Sequence, residues 1–397
     1  MSILPLRSCP RWTFSLALFY ILGFSSVSAN PPTPIPWNST SQPGSTAPAA
    51  ASESTATALA PSQNSLNSRL RSIAARYADM EIGLAVTDIV DGEHAEIRGD
   101  RSFPMASAFK LPVMVEAARQ MQEGRSNLGL DSQLTITNRT KCIGSGNMAS
   151  LPNGSQVTVR SAIEKMITVS DNTATDTVID AIGIRSVNRL LADLGMTHSS
   201  VYLTNREAWL LSLRRGVPHG ESADSFLKYW NGLTFAQKCS LADEVDELCS
   251  DTSLKQIQEW EDASAQQETS AQSMAVAAAV DNLGSPNDYN RLLVKLWKRQ
   301  ILDEKWTQYC LGVLSRQHYN NRIPGMLPKG TATYHKTGTI AGVVNDTGII
   351  IAGTRPVAIS VFIDQVKPNR SKAAAKAIQE LSLAAYQHCA KKQLKTQ

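Results

Sequence analysis

Segments with strand character occur near both ends of the chain, and the long interval between them has helical patterns. Near the beginning, EIGLAVTDI and HAEIRGD surround the turn Asp91-Gly92, which is typical of a hairpin. Near the end, TATYHKTG, NDTGIIIAG and PVAISVFID predict three more strands. The simplest fold that unites both ends is one antiparallel sheet flanked by the N- and C-terminal helices, with an all-helical subdomain between them. This is an α+β architecture, and we expect a site in the crevice between its two parts.

The N-terminal residues predict export. Arg7 and Arg11 precede an apolar stretch that ends near Phe24, and small residues follow, so residues 1–29 have the pattern of a secretory signal peptide. The stretch is shorter than the about 20 apolar residues that a membrane-spanning helix needs. We therefore expect a periplasmic or secreted protein with no stable membrane span after cleavage. An uncleaved anchor is the alternative.

Two regions follow the signal peptide. Residues 30–62 are rich in Pro, Ser, Thr and Ala, a composition that is typical of a disordered linker. Residues 63–392 contain the periodic patterns of a folded domain, and 42% of the chain is hydrophobic, which is enough for a sizeable core. We expect this domain to be a monomer.

Charge and histidine placement argue against two classes of protein. The net charge is only +4, both signs are interspersed, and there is no long basic run, so nucleic acid is not an expected partner. The six histidines are scattered without the spacing of metal ligands. We therefore expect neither a metal nor another cofactor.

The cysteine pattern leaves disulfide connectivity open. The chain has six cysteines, of which Cys9 lies in the signal peptide, so an odd number remains after cleavage. Cys239 and Cys249 are separated by a segment with helical character. Ten residues of helix span about 15 Å, whereas a disulfide needs its Cα atoms within about 7 Å. That pair forms only if the helix breaks.

A serine and a lysine lie three residues apart in FPMASAFK, just ahead of an Ala-rich apolar run. If a helix begins near Ala106, Ser107 and Lys110 share one of its faces. A hydroxyl beside an amine at a helix N-terminus is typical of a nucleophile with its base. The alternative is an N-cap serine followed by a solvated lysine. The same spacing recurs at Ser225 and Lys228, which we interpret as a chance copy on a helix surface.

Two tripeptides favour the catalytic interpretation. S-D-N occurs at 170–172, at a break between two predicted helices, and K-T-G occurs at 336–338 in a predicted strand. Each arises by chance in roughly 5–10% of chains of this length. The alternatives are a turn that ends a helix and a solvated lysine on an edge strand. The ordered trio with S-x-x-K is typical of class A β-lactamases and penicillin-binding proteins.

The surrounding residues extend this resemblance. FPMASAFKLPV, MITVSDNTATDTVI and the NDTGIII after K-T-G are similar to class A β-lactamases in local context, and the order agrees from about residue 65 to 390. The resemblance implies a serine hydrolase with an α/β part and an all-helical part. It also implies that the backbone N–H groups of Ser107 and Thr339 form an oxyanion hole.

The residues themselves suggest roles. Lys110 can take the proton of Ser107 if burial and a second cation, Lys336, lower its pKa. Ser170 can relay a proton to the leaving nitrogen, and Asn172 can hydrogen-bond a substrate amide. In the strand, Thr337 supplies a hydroxyl, and Gly338 lets a substrate lie close to the backbone.

One stretch departs from the family at the water-activating position. Class A enzymes carry a glutamate on a loop after S-D-N, followed by a Leu-Asn pair, and NREAWLL falls at the corresponding distance. Glu207 is its only carboxylate, and Leu210 fits the leucine. Leu211, however, occupies the place of the asparagine, and Arg206 lies one place from the usual arginine. Glu207 is predicted as the base for deacylation, with a surface glutamate as the alternative.

A second departure is the length of the segment that follows. Class A members cross the interval to the next, Pro-led helix in a far shorter stretch, so residues 212–284 are predicted to be a helical insertion beside the active-site loop. A third departure lies after Thr339, where the strand lacks the arginine that many members use to hold the substrate carboxylate.

These patterns predict a serine hydrolase of the class A β-lactamase type. It would open β-lactams through an acyl-enzyme on Ser107, with water-mediated deacylation that is slow because of Leu211. One alternative is a penicillin-binding or DD-peptidase-like enzyme on cell-wall peptides. Another is a catalytically silent binding protein that uses the insertion as a partner surface. The expected ligand is a small-molecule β-lactam or a peptidoglycan peptide.

Overall fold

The structure, a computed structural model, describes residues 65–125 and 127–396. The predicted signal peptide and linker lie outside these residues. The strands are β1 (Glu81–Asp88), β2 (His94–Ile97), β3 (Phe103–Pro104), β4 (Gln133–Thr135), β5 (Gln156–Thr158), β6 (Leu283–Gly284), β7 (Thr333–Ile340), β8 (Val343–Ala352) and β9 (Arg355–Asp364).

The helices occupy most of the remaining chain. They are α1 (Leu66–Ala75), α2 (Lys110–Glu123), α3 (Val159–Thr168), α4 (Asn172–Ile182), α5 (Ile184–Asp193), α6 (Asn205–Ser212), α7 (Ala223–Gly232), α8 (Phe235–Asp251), α9 (Leu254–Gln267), α10 (Ser270–Ala279), α11 (Pro286–Trp297), α12 (Glu304–Leu314) and α13 (Ser371–Thr396).

The predicted α+β fold is confirmed. Strands from both ends of the domain form one five-stranded antiparallel sheet in the order β2-β1-β9-β8-β7. Helices α1 and α13 pack on one face of the sheet around residues such as Leu70, Ile359 and Leu381. The opposite face packs against α11 and the helical subdomain, which explains why all ten residues of β8 are buried. Strand β7 therefore forms the edge that borders the helical subdomain.

The structure differs locally from the sequence prediction. Two short strand pairs were not predicted: β3 with β6, and β4 with β5. The first pair joins the segment ahead of Ser107 to the chain that leaves the insertion.

The insertion contains four helices, α7 to α10, and an apolar core of its own. Phe226 and Trp230 of α7 and Val245 of α8 are fully buried in this core. Leu210 and Leu211 of α6 belong to the same cluster, so α6 is packed onto the insertion. Ser225 and Lys228, the second S-x-x-K pair, are exposed on α7.

Asn282 joins the two ends of the segment that contains the insertion. Its side-chain oxygen accepts the N–H groups of Tyr202 and Leu203 at 2.9 and 3.0 Å, and its amide donates to the Leu203 carbonyl at 2.9 Å. The chain that enters α6 and the chain that leaves α10 are thereby held together.

Cys239 and Cys249 both lie on the unbroken helix α8 and are not bonded to each other. All five cysteines in the described residues are free thiols. No helix within the described ranges combines the length and apolar character needed to cross a membrane.

Candidate active site

Ser107 lies on a short 3-10 turn, Ala106–Phe109, that leads directly into α2. Ala106 has φ +45°, a left-handed conformation that costs a non-glycine residue of order 1–3 kcal/mol. The buried carboxylate of Asp281 accepts the Ala106 N–H and stabilises this conformation. Ser107 is left partly exposed at the crevice, while Lys110 at the start of α2 is fully buried.

The Lys110 ammonium points at the S-D-N segment. Its Nζ donates to the Ser170 carbonyl and to Asn172 Oδ1, both at 2.7 Å, and to Ser170 Oγ at 3.2 Å. Burial lowers the pKa of Lys110 to about 8, although the nearby Asp176 and Asp171 oppose that shift. A lysine with this pKa is neutral often enough near neutral pH to accept a proton.

The break predicted at S-D-N is present, because α3 ends at Thr168 and α4 begins at Asn172. Asp171 caps α4 by accepting the N–H of Ala174 at 2.9 Å. Ser170 has φ +60°. The rigid cap and the unusual backbone together fix the direction of the Ser170 side chain.

Lys336 of β7 approaches the same hydroxyl from the sheet. Its Nζ donates to Ser170 Oγ at 3.1 Å and to the Thr337 carbonyl at 2.8 Å. Burial, followed by repulsion from Lys110, lowers the pKa of Lys336 well below its ordinary value. The Ser170 hydroxyl thus bridges two buried amines, which makes a short route for a proton.

Gly338 allows β7 to lie against the Ser107 turn. A Cβ atom at this position would fall 2.5 Å from the Met105 carbonyl oxygen and 3.2 Å from the Ser107 nitrogen. Asn345 of β8 ties the same turn to the sheet by donating to the Pro104 and Met105 carbonyls at 2.8 and 3.1 Å. The K-T-G strand and the Ser107 turn therefore form one rigid unit.

Arg322 is a site residue that the sequence analysis missed. It donates to the Gly338 carbonyl at 2.8 Å and to the Asn345 carbonyl at 2.6 Å, and it also hydrogen-bonds Thr339 Oγ1. The predicted lack of an arginine on the strand is correct, but Arg322 brings a guanidinium to the strand from the preceding segment. No local motif marks this residue, because only the tertiary fold brings it to β7.

Glu207 is not brought to the cluster around Ser170. Its carboxylate accepts the Thr204 N–H at 2.7 Å in a capping box, and the Asp246 carboxyl of α8 lies within hydrogen-bonding reach. Burial and the Asp246 charge raise the pKa of Glu207 to about 8. Leu211, one turn further along α6, is fully buried in the insertion core. This face of α6 points at the insertion.

A different pair of α6 residues points at S-D-N. The Asn205 amide donates to Asp176 Oδ1 at 2.7 Å and to the Asn172 carbonyl at 3.5 Å. One turn later, the Trp209 ring lies 3.9 Å from where a Cβ of Gly144 would be, beside the Asn172 amide. Asn205 and Trp209 were not predicted as site residues, since the sequence does not show how α6 is rotated.

Asp176 links these two elements and was also missed. It lies four residues after Asn172 and shares its helix face. It accepts the N–H groups of Asn205 and Arg206, both at 2.9 Å. Burial raises the pKa of Asp176 to about 6. Among the residues that the structure describes, no cluster of His, Cys, Asp or Glu side chains is arranged to hold a metal ion.

Comparisons with known proteins point to one family. Residues 65–389 match the model of the β-lactamase enzyme family. Beta-lactamase VEB-1 of Pseudomonas aeruginosa is 23% identical over 298 residues, which cover 72% of this chain and 78% of the relative. Extended-spectrum beta-lactamase PER-1 of the same organism is 23% identical over 327 residues, covering 78% and 83%.

Two solved structures show the same fold. PBP-A superposes with a TM-score of 0.59 at 21% identity, covering 82% of this chain and 96% of PBP-A, and a mutant of it was captured as an acyl-enzyme with penicillin G. A β-lactamase from Sphaerobacter thermophilus DSM 20745 gives 0.58 at 24% identity, covering 81% and 97%.

Proposed function

Because this chain belongs to the β-lactamase enzyme family, we propose that it is a serine hydrolase that β-lactams acylate at Ser107 and that releases the opened product slowly. The observation that carries this proposal is the Ser170 hydroxyl, held 3.2 Å from Lys110 Nζ and 3.1 Å from Lys336 Nζ beside the Ser107 turn. A signal peptide at residues 1–29 would bring the enzyme to where it meets β-lactams and cell-wall peptides.

Acylation uses the residues around Ser170. Neutral Lys110 accepts the Ser107 proton as Oγ attacks the amide carbon, and the carbonyl oxygen becomes an oxyanion. The backbone N–H groups of Ser107 and Thr339 stabilise that oxyanion. The C–N bond then breaks, and the nitrogen takes the Ser170 proton while Lys110 returns a proton to Ser170.

The side chains around the crevice also account for substrate recognition in this proposal. Arg322 places a positive charge beside β7 that attracts the carboxylate of a β-lactam or a peptide C-terminus, and the hydroxyls of Thr337 and Thr339 offer hydrogen bonds to it. Binding of that carboxylate would in turn favour the charged form of Lys336. Asn172 pairs with the substrate amide, and Gly338 leaves room for the substrate beside the strand.

Deacylation is the slow step in this proposal. Water that attacks the Ser107 ester needs a general base within hydrogen-bond reach. Asn205, which α6 turns toward S-D-N and Asp176, is an amide and cannot accept the proton. The carboxyl group of Glu207 faces Asp246 instead, and its raised pKa keeps it protonated at neutral pH. An acyl-enzyme therefore accumulates.

The same orientation of α6 favours a second candidate, a penicillin-binding or DD-peptidase-like activity on cell-wall peptides. In that case acylation is retained while β-lactam turnover is nearly lost. The purified protein is incubated with penicillin G, and intact mass and β-lactam hydrolysis are followed together, with a peptide that ends in D-Ala-D-Ala as a second substrate.

A persistent adduct on Ser107 with slow hydrolysis supports the first proposal, and release of D-Ala from the peptide supports the second. Rapid hydrolysis without an accumulating adduct contradicts slow deacylation. If neither an adduct nor turnover of either substrate is seen, the protein is a binding protein.

A further inference from the structure

Helix α8 of the insertion covers the α6 face that carries Glu207. Leu210 and Leu211 of α6 pack in one apolar cluster with Val245 and Cys249 of α8. Asp246 follows Val245 directly, and its carboxyl lies within hydrogen-bonding reach of Glu207. The contact is thus an acid–acid pair at the edge of an apolar core.

A hydrogen bond between two carboxyl groups needs one proton, because ionised carboxylates are only acceptors. The Arg139 guanidinium hydrogen-bonds and pairs with Asp246, so we assign the proton of the pair to Glu207. Glu207 is only 6% exposed, and an ionised carboxyl in that position would be costly.

The charged groups around the pair reinforce this assignment. Asp176 on α4 interacts unfavourably with an ionised Glu207, whereas burial raises the pKa of Cys249 on α8 to about 12 and keeps its thiol uncharged. Arg206, the neighbouring cation on α6, donates hydrogen bonds from its guanidinium to the Lys141 and Thr252 carbonyls. Arg139 faces Asp246 and Asp180 rather than Glu207.

We propose that Asp246 is a positioning residue: by sharing a proton with Glu207, it holds α6 in the rotation that turns Asn205 and Trp209 toward the S-D-N segment. When the pair loses its proton, two adjacent negative charges repel, and α6 loosens from α8. The kinetic consequence rests on the proposed function, because it is seen as a pH-dependent lifetime of the Ser107 acyl-enzyme.

The main test measures how long a penicillin G adduct on Ser107 survives between pH 6 and 9.5. The wild type is compared with Asp246→Asn, Glu207→Gln and the double variant. In the wild type we expect the lifetime to fall at least about fivefold in a step near pH 8, beyond the gradual alkaline loss that all variants share. Both single variants should lack this step, because a hydrogen bond between an amide and a carboxylate needs no shared proton. The adduct lifetime of the double variant should depend on pH in the same way as that of the single variants.

Asp243→Asn is the matched control. Asp243 lies on the same helix, is largely exposed, and pairs with Arg185. This variant should keep the wild-type step.

Thermal unfolding without penicillin gives a readout that does not depend on acylation. A carboxyl with a raised pKa in the folded state destabilises the fold as pH rises from its ordinary pKa toward the raised one. The Tm of the wild type should therefore fall relative to Glu207→Gln between about pH 4.5 and pH 8, by about 3 °C. Asp246→Asn keeps the burial of Glu207 but removes the neighbouring charge, so its Tm loss should lie between those of the other two proteins.

The two failures are distinguishable. If penicillin G labels no variant, the proposed function is wrong, and the Tm comparison alone decides whether the pair exists. If Ser107 is labelled but both single variants keep the wild-type step and the wild-type Tm slope, Asp246 does not position α6.

Discussion

The two walls of the crevice around Ser107 are built in different ways. On one wall, α2, α4 and β7 bring Lys110, Asn172 and Lys336 together around the Ser170 hydroxyl. On the other wall, α6 is packed onto the insertion and presents the Asn205 amide and the Trp209 indole. In the proposed mechanism, the first wall supplies the groups for acylation, whereas the second supplies no base for hydrolysing the ester. The proposal thus assigns the two half-reactions to separate structural units of this protein.

The largest effect is expected from removing the Ser107 hydroxyl, which is the nucleophile of the first wall in the proposed mechanism. Ser107→Ala should abolish covalent labelling by penicillin G, because no hydroxyl remains beside Lys110. Ser225→Ala, in the exposed second S-x-x-K pair, should leave labelling intact. Intact-mass measurement and peptide mapping check both, and a labelled peptide that contains Ser225 would end the assignment.

The pH dependence of acylation sharpens the role of the first wall. Lys110 must be neutral to act as a base, and burial lowers its pKa to about 8. The neutral fraction therefore rises about tenfold per pH unit below that value. We expect the acylation rate to increase about 50-fold from pH 6 to pH 8 and to level off above. Quenched-flow mass spectrometry measures this rate, and a flat profile would exclude Lys110 as the base.

A carboxylate on the side of α6 that faces S-D-N should speed up hydrolysis of the acyl-enzyme. Trp209 lies beside the Asn172 amide, so Trp209→Glu supplies a general base on that side, and we expect the adduct lifetime to shorten about tenfold, which corresponds to about 1.4 kcal/mol. Trp209→Gln is the matched control, with equal length and no base, and should leave the lifetime within about twofold. Equal lifetimes in the two variants would show that α6 is too far from the ester.

The smallest kinetic effect is expected at Leu211. Leu211→Asn puts an amide into the insertion core, where it finds no water to position, so the adduct lifetime should stay within about twofold. The free energy of unfolding should instead drop by about 2–4 kcal/mol, since apolar burial is lost and a polar group is buried. Urea unfolding measures this, with Val90→Asn at an exposed site as the control. A shorter lifetime with unchanged stability would place Leu211 at the crevice.

The sequence predicts the sheet and the first wall well because their signals are local. Alternating apolar residues mark the hairpin and the three C-terminal strands, and the spacing of Ser107 and Lys110 places both on one turn. Asp171 marks the break at S-D-N because its side chain is suited to capping a helix.

The second wall could not be predicted in the same way. The rotation of α6 depends on which of its faces finds an apolar partner, and that partner is the distant helix α8. Glu207 and Leu211 were therefore assigned to the crevice by distance along the chain, although they share the face that packs on the insertion. Arg322 was missed for a similar reason, since it meets β7 only in the folded chain.

The hydrogen bonds between Asn282 and the backbone of Tyr202 and Leu203 have a consequence for how long the segment between them can be. Once the two ends of a loop are tied, its length is nearly free, because each doubling adds only about 0.6 kcal/mol of closure entropy. A long segment can then be gained or exchanged between the tied ends while the nucleophile turn stays in place. Under the proposed function, related chains that differ in this segment would differ in how long the acyl-enzyme lasts, while the residues that form it stay the same.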